Sequence, residues 1–159
     1  MRGSGLEYDD APVNVLFVTS EVARYAKTGG LADVSAALPK YLMQAGHDVR
    51  VVMPYYSRVD DKGASQEIVL KDLELTPGPH RYKVSIVKSS RPGDAPVHLV
   101  HCPALYHRPS LYTNDPDEHL RFVVLARAAL EMCQRLGWAS PVLRAIIHSI
   151  LTHPKGLRP

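Results

Sequence analysis

The chain reads as an α/β domain built on a mostly parallel sheet with an antiparallel hairpin inserted, and three observations predict this. Short β-branched runs alternate with segments of helical period. The first run, residues 13–19, is almost wholly apolar, as befits a strand covered on both faces. Two strand-like pieces flank Thr76-Pro77-Gly78-Pro79, which is a hairpin signal. A length of 159 residues supports one domain with a proper core.

The elements follow in order. After the first strand, Leu31, Val34, Leu38, Tyr41, Leu42 and Ala45 recur at helical spacing and predict an apolar stripe, with Pro39 expected to kink the helix. Residues 49–53 form the second strand, closed by Pro54, and 55–65 read as a surface loop. Residues 67–73 and 82–88 are the hairpin, and 97–102 are a further strand beyond the turn Arg91-Pro92-Gly93-Asp94. Residues 119–136 make the longest helix, with Phe122, Leu125, Ala126, Ala129, Cys133 and Leu136 on one arc. Asp115 and Asp117 suit its start and Gly137 its end.

Lys27-Thr28-Gly29-Gly30-Leu31-Ala32-Asp33 joins the first strand to the first helix. Two glycines there allow close approach of a ligand or a positive φ. The first amides of the helix point above the strand, and the helix dipole favours negative charge at that end. Lys27 adds a full charge, so a phosphate or diphosphate suits the loop, although a plain tight turn explains Gly-Gly about as well. The lysine precedes the glycines, so this is not a Walker A loop, and the G-x-G-x-x-G dinucleotide fingerprint is also missing. The loop from Pro103 to Asp115 is a second candidate. It leaves the end of a strand and carries Tyr106, His107, Arg108 and Tyr112, whose aromatic faces and hydrogen-bonding groups suit sugar rings; packing of the loop by its own tyrosines is the competing reading.

Other chemistries are disfavoured. The net charge of +3 is slight and its basic residues are scattered, so nucleic acid is not an expected partner. No apolar run is long enough to span a bilayer, and residues 1–10 lack the apolar core of a secretory signal. Residues 1–12 are expected to be disordered or artificial leader sequence. Cys102 and Cys133 fall in apolar settings and are expected to be small buried hydrophobes. His98 and His101 lie three apart on a strand and face opposite sides; His148 and His153 have no acidic partner nearby. No metal site is expected from either pair. No nucleophile elbow or Cys-His pairing signal is present.

Residues 15–23, then 27–34, 37–40 and 46–54, closely resemble the amino end of bacterial glycogen synthases and plant starch synthases. A second block, Leu105-Tyr106-His107-Arg108-Pro109 with Tyr112 and then 117–122, agrees in order and spacing. The resemblance covers about residues 14–139. It implies a Rossmann-like domain, residues 13–139, forming one half of a two-domain glycosyltransferase fold. It further implies retaining transfer of glucose from ADP-glucose to the non-reducing end of an α-1,4-glucan, without a metal or other cofactor. Lys27, Gly29 and Gly30 would hold the donor phosphates. Asp33 would bond a sugar hydroxyl or cap the turn, and Tyr112 would line the glucose or acceptor subsite; no residue here is assigned as catalytic. His107 stands where the family usually has aspartate, which weakens any role for it.

The resemblance also implies that the chain is the first part of a synthase, inactive alone, in a bacterial cytoplasm or else a plastid. Two other readings stay open, a non-catalytic glucan-binding remnant and an unrelated phosphate-binding flavodoxin-like domain. The family continues past Trp138 into a buried strand ending in His-x-x-Asp-Trp, whereas here the residue three past His148 is Leu151. From Met132 onward there is no Asp or Glu. Residues 140–159 are therefore expected to be a divergent, truncated or frame-shifted tail, and loss of that strand to leave the sheet underfilled and the domain marginally stable.

Overall fold

The computed structural model describes residues 11–138 and the backbone of residues 144–147. The chain runs β1 (Asn14–Val18), α1 (Gly30–Gln44), β2 (Asp48–Pro54), β3 (Ser65–Leu75), β4 (Tyr82–Ser90), β5 (Val97–His101), α2 (Pro103–Tyr106), α3 (Glu118–Arg135) and β6 (Arg144–Ile147). The six strands form one sheet of order β3-β4-β5-β2-β1-β6. The strands β5, β2, β1 and β6 are mutually parallel, and β4 and β3 continue the sheet antiparallel. The predicted fold is therefore the observed one, with the hairpin at one edge. The short helix α2, inside the second candidate loop, was not foreseen.

The strands β1, β2 and β5 bury almost every residue, Val15 to Val18 and Val51 to Met53 among them. The connections β1-α1-β2 and β5-α3-β6 travel in opposite directions across the sheet. The right-handed rule for such crossovers then puts α1 and α3 on opposite faces. The strand order reverses between β1 and β6. In open α/β sheets the crevice above the carboxyl ends at such a reversal is where ligands bind, and the glycine loop begins there.

Two helix faces differ from expectation. The residues α1 buries are Ala32, Ser35 and Pro39, small side chains that let it lie close on the sheet; Leu38 and Leu42 are half-buried, while Val34 and Tyr41 stand exposed. Pro39 is accommodated within a continuous helix. In α3 the buried arc is centred on Val124, Ala128 and Met132, so Arg121 turns inward and Leu136 outward. Asp117 precedes α3 but makes no side-chain cap. At the other end Gly137, with φ +60°, closes the helix. Its amide bonds Gln134 O, and that of Trp138 bonds Cys133 O.

Cys102 and Cys133 are buried free thiols, as expected. The position beside β1 is filled by β6, paired Val15↔Arg144 through Val18↔Ile147. This corrects the expectation that the strand is lost, and removes its ground for marginal stability. Expectations about residues 1–10, His148, His153 and the tail beyond Ile147 lie outside the described residues. Within them, no helix is long and apolar enough to cross a membrane.

Candidate functional site

The carboxyl end of β1 delivers Thr19, Ser20 and Glu21, all buried. A tight turn closed by the bridge between Val22 and Ala26 then returns the chain to the loop, with Arg24 left-handed at its tip. Glu21 Oε2 accepts the amide of Thr28 at 2.7 Å and, more distantly, that of Gly29 at 3.4 Å. Its Oε1 accepts the hydroxyls of Thr28 and of Tyr112, the latter at 2.6 Å. The Tyr112 phenol gives its proton to Glu21, so Ser20 Oγ, also 2.6 Å away, donates to it. The two candidate loops, 91 residues apart at this bond, thus meet on one carboxylate.

Burial alone would raise the Glu21 carboxyl, but the bonds from Thr28, Tyr112 and the loop amides outweigh it. The group is held below the usual carboxylate range. Burial, and then the bond to Glu21, push the Tyr112 phenol well above the usual tyrosine value. Glu21 is an anion in this site at neutral pH, and it already occupies amides that the sequence offered to a ligand phosphate.

Each residue singled out in the sequence has a defined place. Gly29 is the N-cap of α1 with extended backbone, and Gly30 opens the helix; neither has a positive φ. A Cβ at either position would meet nothing within 4 Å. Gly30 and Leu31 sit where a helix has no acceptor of its own for the amide. Lys27 Nζ bonds both oxygens of Asp33 at 2.7 Å, with both side chains more than half exposed. Asp33 makes no capping bond to the turn; it partners the lysine. Tyr112 stacks on Phe122, ring centroids 6.5 Å apart, in addition to its phenol bonds.

In the second loop Arg108 forks onto Asp117 at 2.7 and 2.9 Å and reaches Asp115 at 2.8 Å, which clamps the loop to the start of α3. This is the packing role. Its guanidinium is raised further above the usual range, first by the Asp117 bond. His107 meets His101 edge-on at 5.7 Å. Glu21 lies within the stretch 15–23 and the sequence reading assigns it no part; the signal there is a carboxylate at the end of a buried strand, before Val22 and Ala23.

A Rossmann-like sheet with a glycine loop opening a helix at its point of reversal is the frame of a class of nucleotide- and phosphate-binding domains. The starch synthase catalytic domain family matches residues 14–149, and the chain belongs to that family. It is 38% identical over 136 residues to a glycogen synthase of Photobacterium profundum, covering 83% of this chain and 27% of that one. With glycogen synthase 1 of Geobacter sulfurreducens it is 41% identical over 139 residues, 84% of this chain and 28% of the other. The fold resembles the catalytic domain of starch synthase IV from Arabidopsis thaliana bound to ADP and acarbose. The TM-score is 0.74 at 28% identity, covering 85% of this chain and 28% of that chain. The chain thus spans just over a quarter of the length of these relatives.

Proposed function

We propose that this domain supplies the donor-phosphate wall of an ADP-glucose-dependent glucan synthase, which transfers glucose with retention to the non-reducing end of an α-1,4-glucan. The observation that carries the reading is the pair Gly29–Gly30. Nothing in the domain's own backbone or packing requires a glycine at either position. Their bare surface suits a group that approaches from outside, at a helix end whose dipole favours an anion.

In this reading the amides of Gly30 and Leu31, with Lys27, offset the charge that grows on the departing diphosphate. An exposed ion pair such as Lys27–Asp33 contributes little, about 0–1 kcal/mol. The lysine can therefore exchange Asp33 for a diphosphate oxygen at small cost, leaving Asp33 available to a sugar hydroxyl. Tyr112, fixed on Glu21, stands on the glucosyl side. A bacterial cytoplasm is the proposed setting.

The test is a titration of the folded chain with ADP-glucose followed by amide NMR, with Lys27→Ala as the control. The expected result is a set of shifts centred on Gly29 and Gly30 that is lost in the variant. A well-dispersed spectrum that ADP-glucose leaves unmoved would end the donor-site assignment for this domain. Shifts produced by maltooligosaccharide alone would move the reading to glucan binding.

A further inference from the structure

We infer that Arg121 is a positioning residue for the Glu21–Tyr112 pair, acting through Glu118 and Thr113 from beneath the site. Its use rests on the function proposed above; its geometry does not. Arg121 is only 1% exposed, within α3. Its Nη1 bonds both oxygens of Glu118 at 3.0 and 2.9 Å. The same two oxygens accept the amide of Thr113, at 3.2 Å, and its hydroxyl. Thr113 directly follows Tyr112, and Phe122, next to Arg121 in the chain, carries the tyrosine ring. One buried cation thus sets both the backbone beside Tyr112 and the surface under it.

The cost of this arrangement argues for a purpose beyond stability. Nε and Nη2 of Arg121, the edge that takes carboxylates bidentately, find no partner among the described residues, and neither does the Tyr56 hydroxyl. The guanidinium carbon lies 5.7 Å over the Tyr56 ring. A buried arginine with unmet donors is a worse solution than a well-packed apolar side chain where packing alone matters. Nor is Arg121 needed merely to close the loop, because Arg108 already clamps it to Asp115 and Asp117. Arg108 touches Thr113 only by a long bond to its hydroxyl, at 3.5 Å, whereas the Thr113 amide is held by Glu118, which Arg121 holds in turn.

The test follows the Glu21 side-chain carboxyl by 13C NMR as pH is varied, in the wild type, Arg121→Met, Arg121→Lys and Thr113→Val. Releasing Tyr112 removes one of the bonds that hold Glu21 low, so its titration midpoint should rise toward the ordinary carboxylate range in Arg121→Met and Thr113→Val. Arg121→Lys, which can still hold Glu118, should restore it. Folded variants with the Glu21 midpoint and the Tyr112 ring resonances both unchanged would overturn the inference. Should Arg121→Met fail to fold, Thr113→Val, a change in a half-buried loop, decides alone. ADP-glucose titration of the same proteins separates the two readings. A wild type that does not bind but shows the midpoint response keeps Arg121 as a positioning residue and sinks the donor site. A wild type that binds without any response to Arg121 or Thr113 keeps the donor site and sinks the positioning role.

Discussion

Glu21 and His98 are two buried ionisable groups on the same sheet, and both have lowered pKa values for opposite reasons. Glu21, at the carboxyl end of β1, is buried but receives bonds from Thr28, Tyr112 and the loop amides, which favour its charged form. His98, near the amino end of β5, receives too little help to keep a charge. Burial, with Arg50 and Lys88 beside it, outweighs both the bond from its Nδ1 to Val51 O at 3.1 Å and the charge of Asp48, so the neutral ring is favoured and the pKa falls to about 4. One site spends hydrogen bonds to keep a charge, and the other expels one. The first is what a ligand site needs; the second is ordinary core. A cleft of about 270 Å³ opens beside His98, Arg50 and Lys88, yet no organised set of donors like that around Glu21 converges there.

The largest effect expected from this contrast is on acid stability through His98. The unfolded chain takes up this proton near 6.5 and the folded one only near 4, so the unfolded state binds more protons between those values and stability falls as pH falls. The difference is worth about 3 kcal/mol once pH is below the folded value. Replacing His98 by Gln, which keeps a donor for Val51 O but does not titrate, should flatten stability against pH between 6.5 and 4. Equal slopes in urea unfolding of the two proteins would show that His98 is not held neutral.

Glu21→Gln should cost about 2 kcal/mol at neutral pH, because charge-assisted bonds become neutral ones and one amide donor faces other donors. The sign runs the same way in a lower window. A carboxyl lowered in the folded state contributes its stability above its unfolded value, 4.5, and loses it as pH drops through the folded one. The deficit of the variant should therefore be full at pH 7 and shrink below about 4.5. A deficit that persists undiminished in acid would mean that shape, not charge, is what the loop requires of this residue.

How much of this was legible in the sequence depends on whether a feature is local. The parallel core, the hairpin and the glycine loop follow from β-branched runs, turn residues and the strand-loop-helix order, and all are observed. The inward faces of the helices were less accurately read, because periodicity gives the existence of a stripe and not its rotation. Helix α1 presents Ala32, Ser35 and Pro39 to the sheet for closeness, and α3 rotates enough to bury Arg121. The strand beside β1 was set aside because its sequence departs from a family signature, whereas backbone pairing asks only for extended chain at the right register. Glu21 was missed because its partners, Thr28 and Tyr112, lie 7 and 91 residues away. Tertiary contact alone makes a site of them.

The smallest expected effect in stability is the sharpest test of the site. Gly30→Ala places a methyl group in open space, at the first residue of a helix and without positive φ. Alanine restricts the unfolded chain more than glycine and is the better helix former, so the variant should be stabilised by about 0.5 kcal/mol. A methyl at the mouth of the loop would nevertheless stand where a diphosphate must approach the backbone, so ADP-glucose shifts at Gly29 should weaken or vanish. Gain of stability with loss of binding would separate what the fold needs from what the ligand needs, which neither Glu21 nor His98 can do, since both serve the fold. If Gly30→Ala binds as the wild type does, the glycine is only a turn residue, and the donor phosphates do not contact the loop at that position.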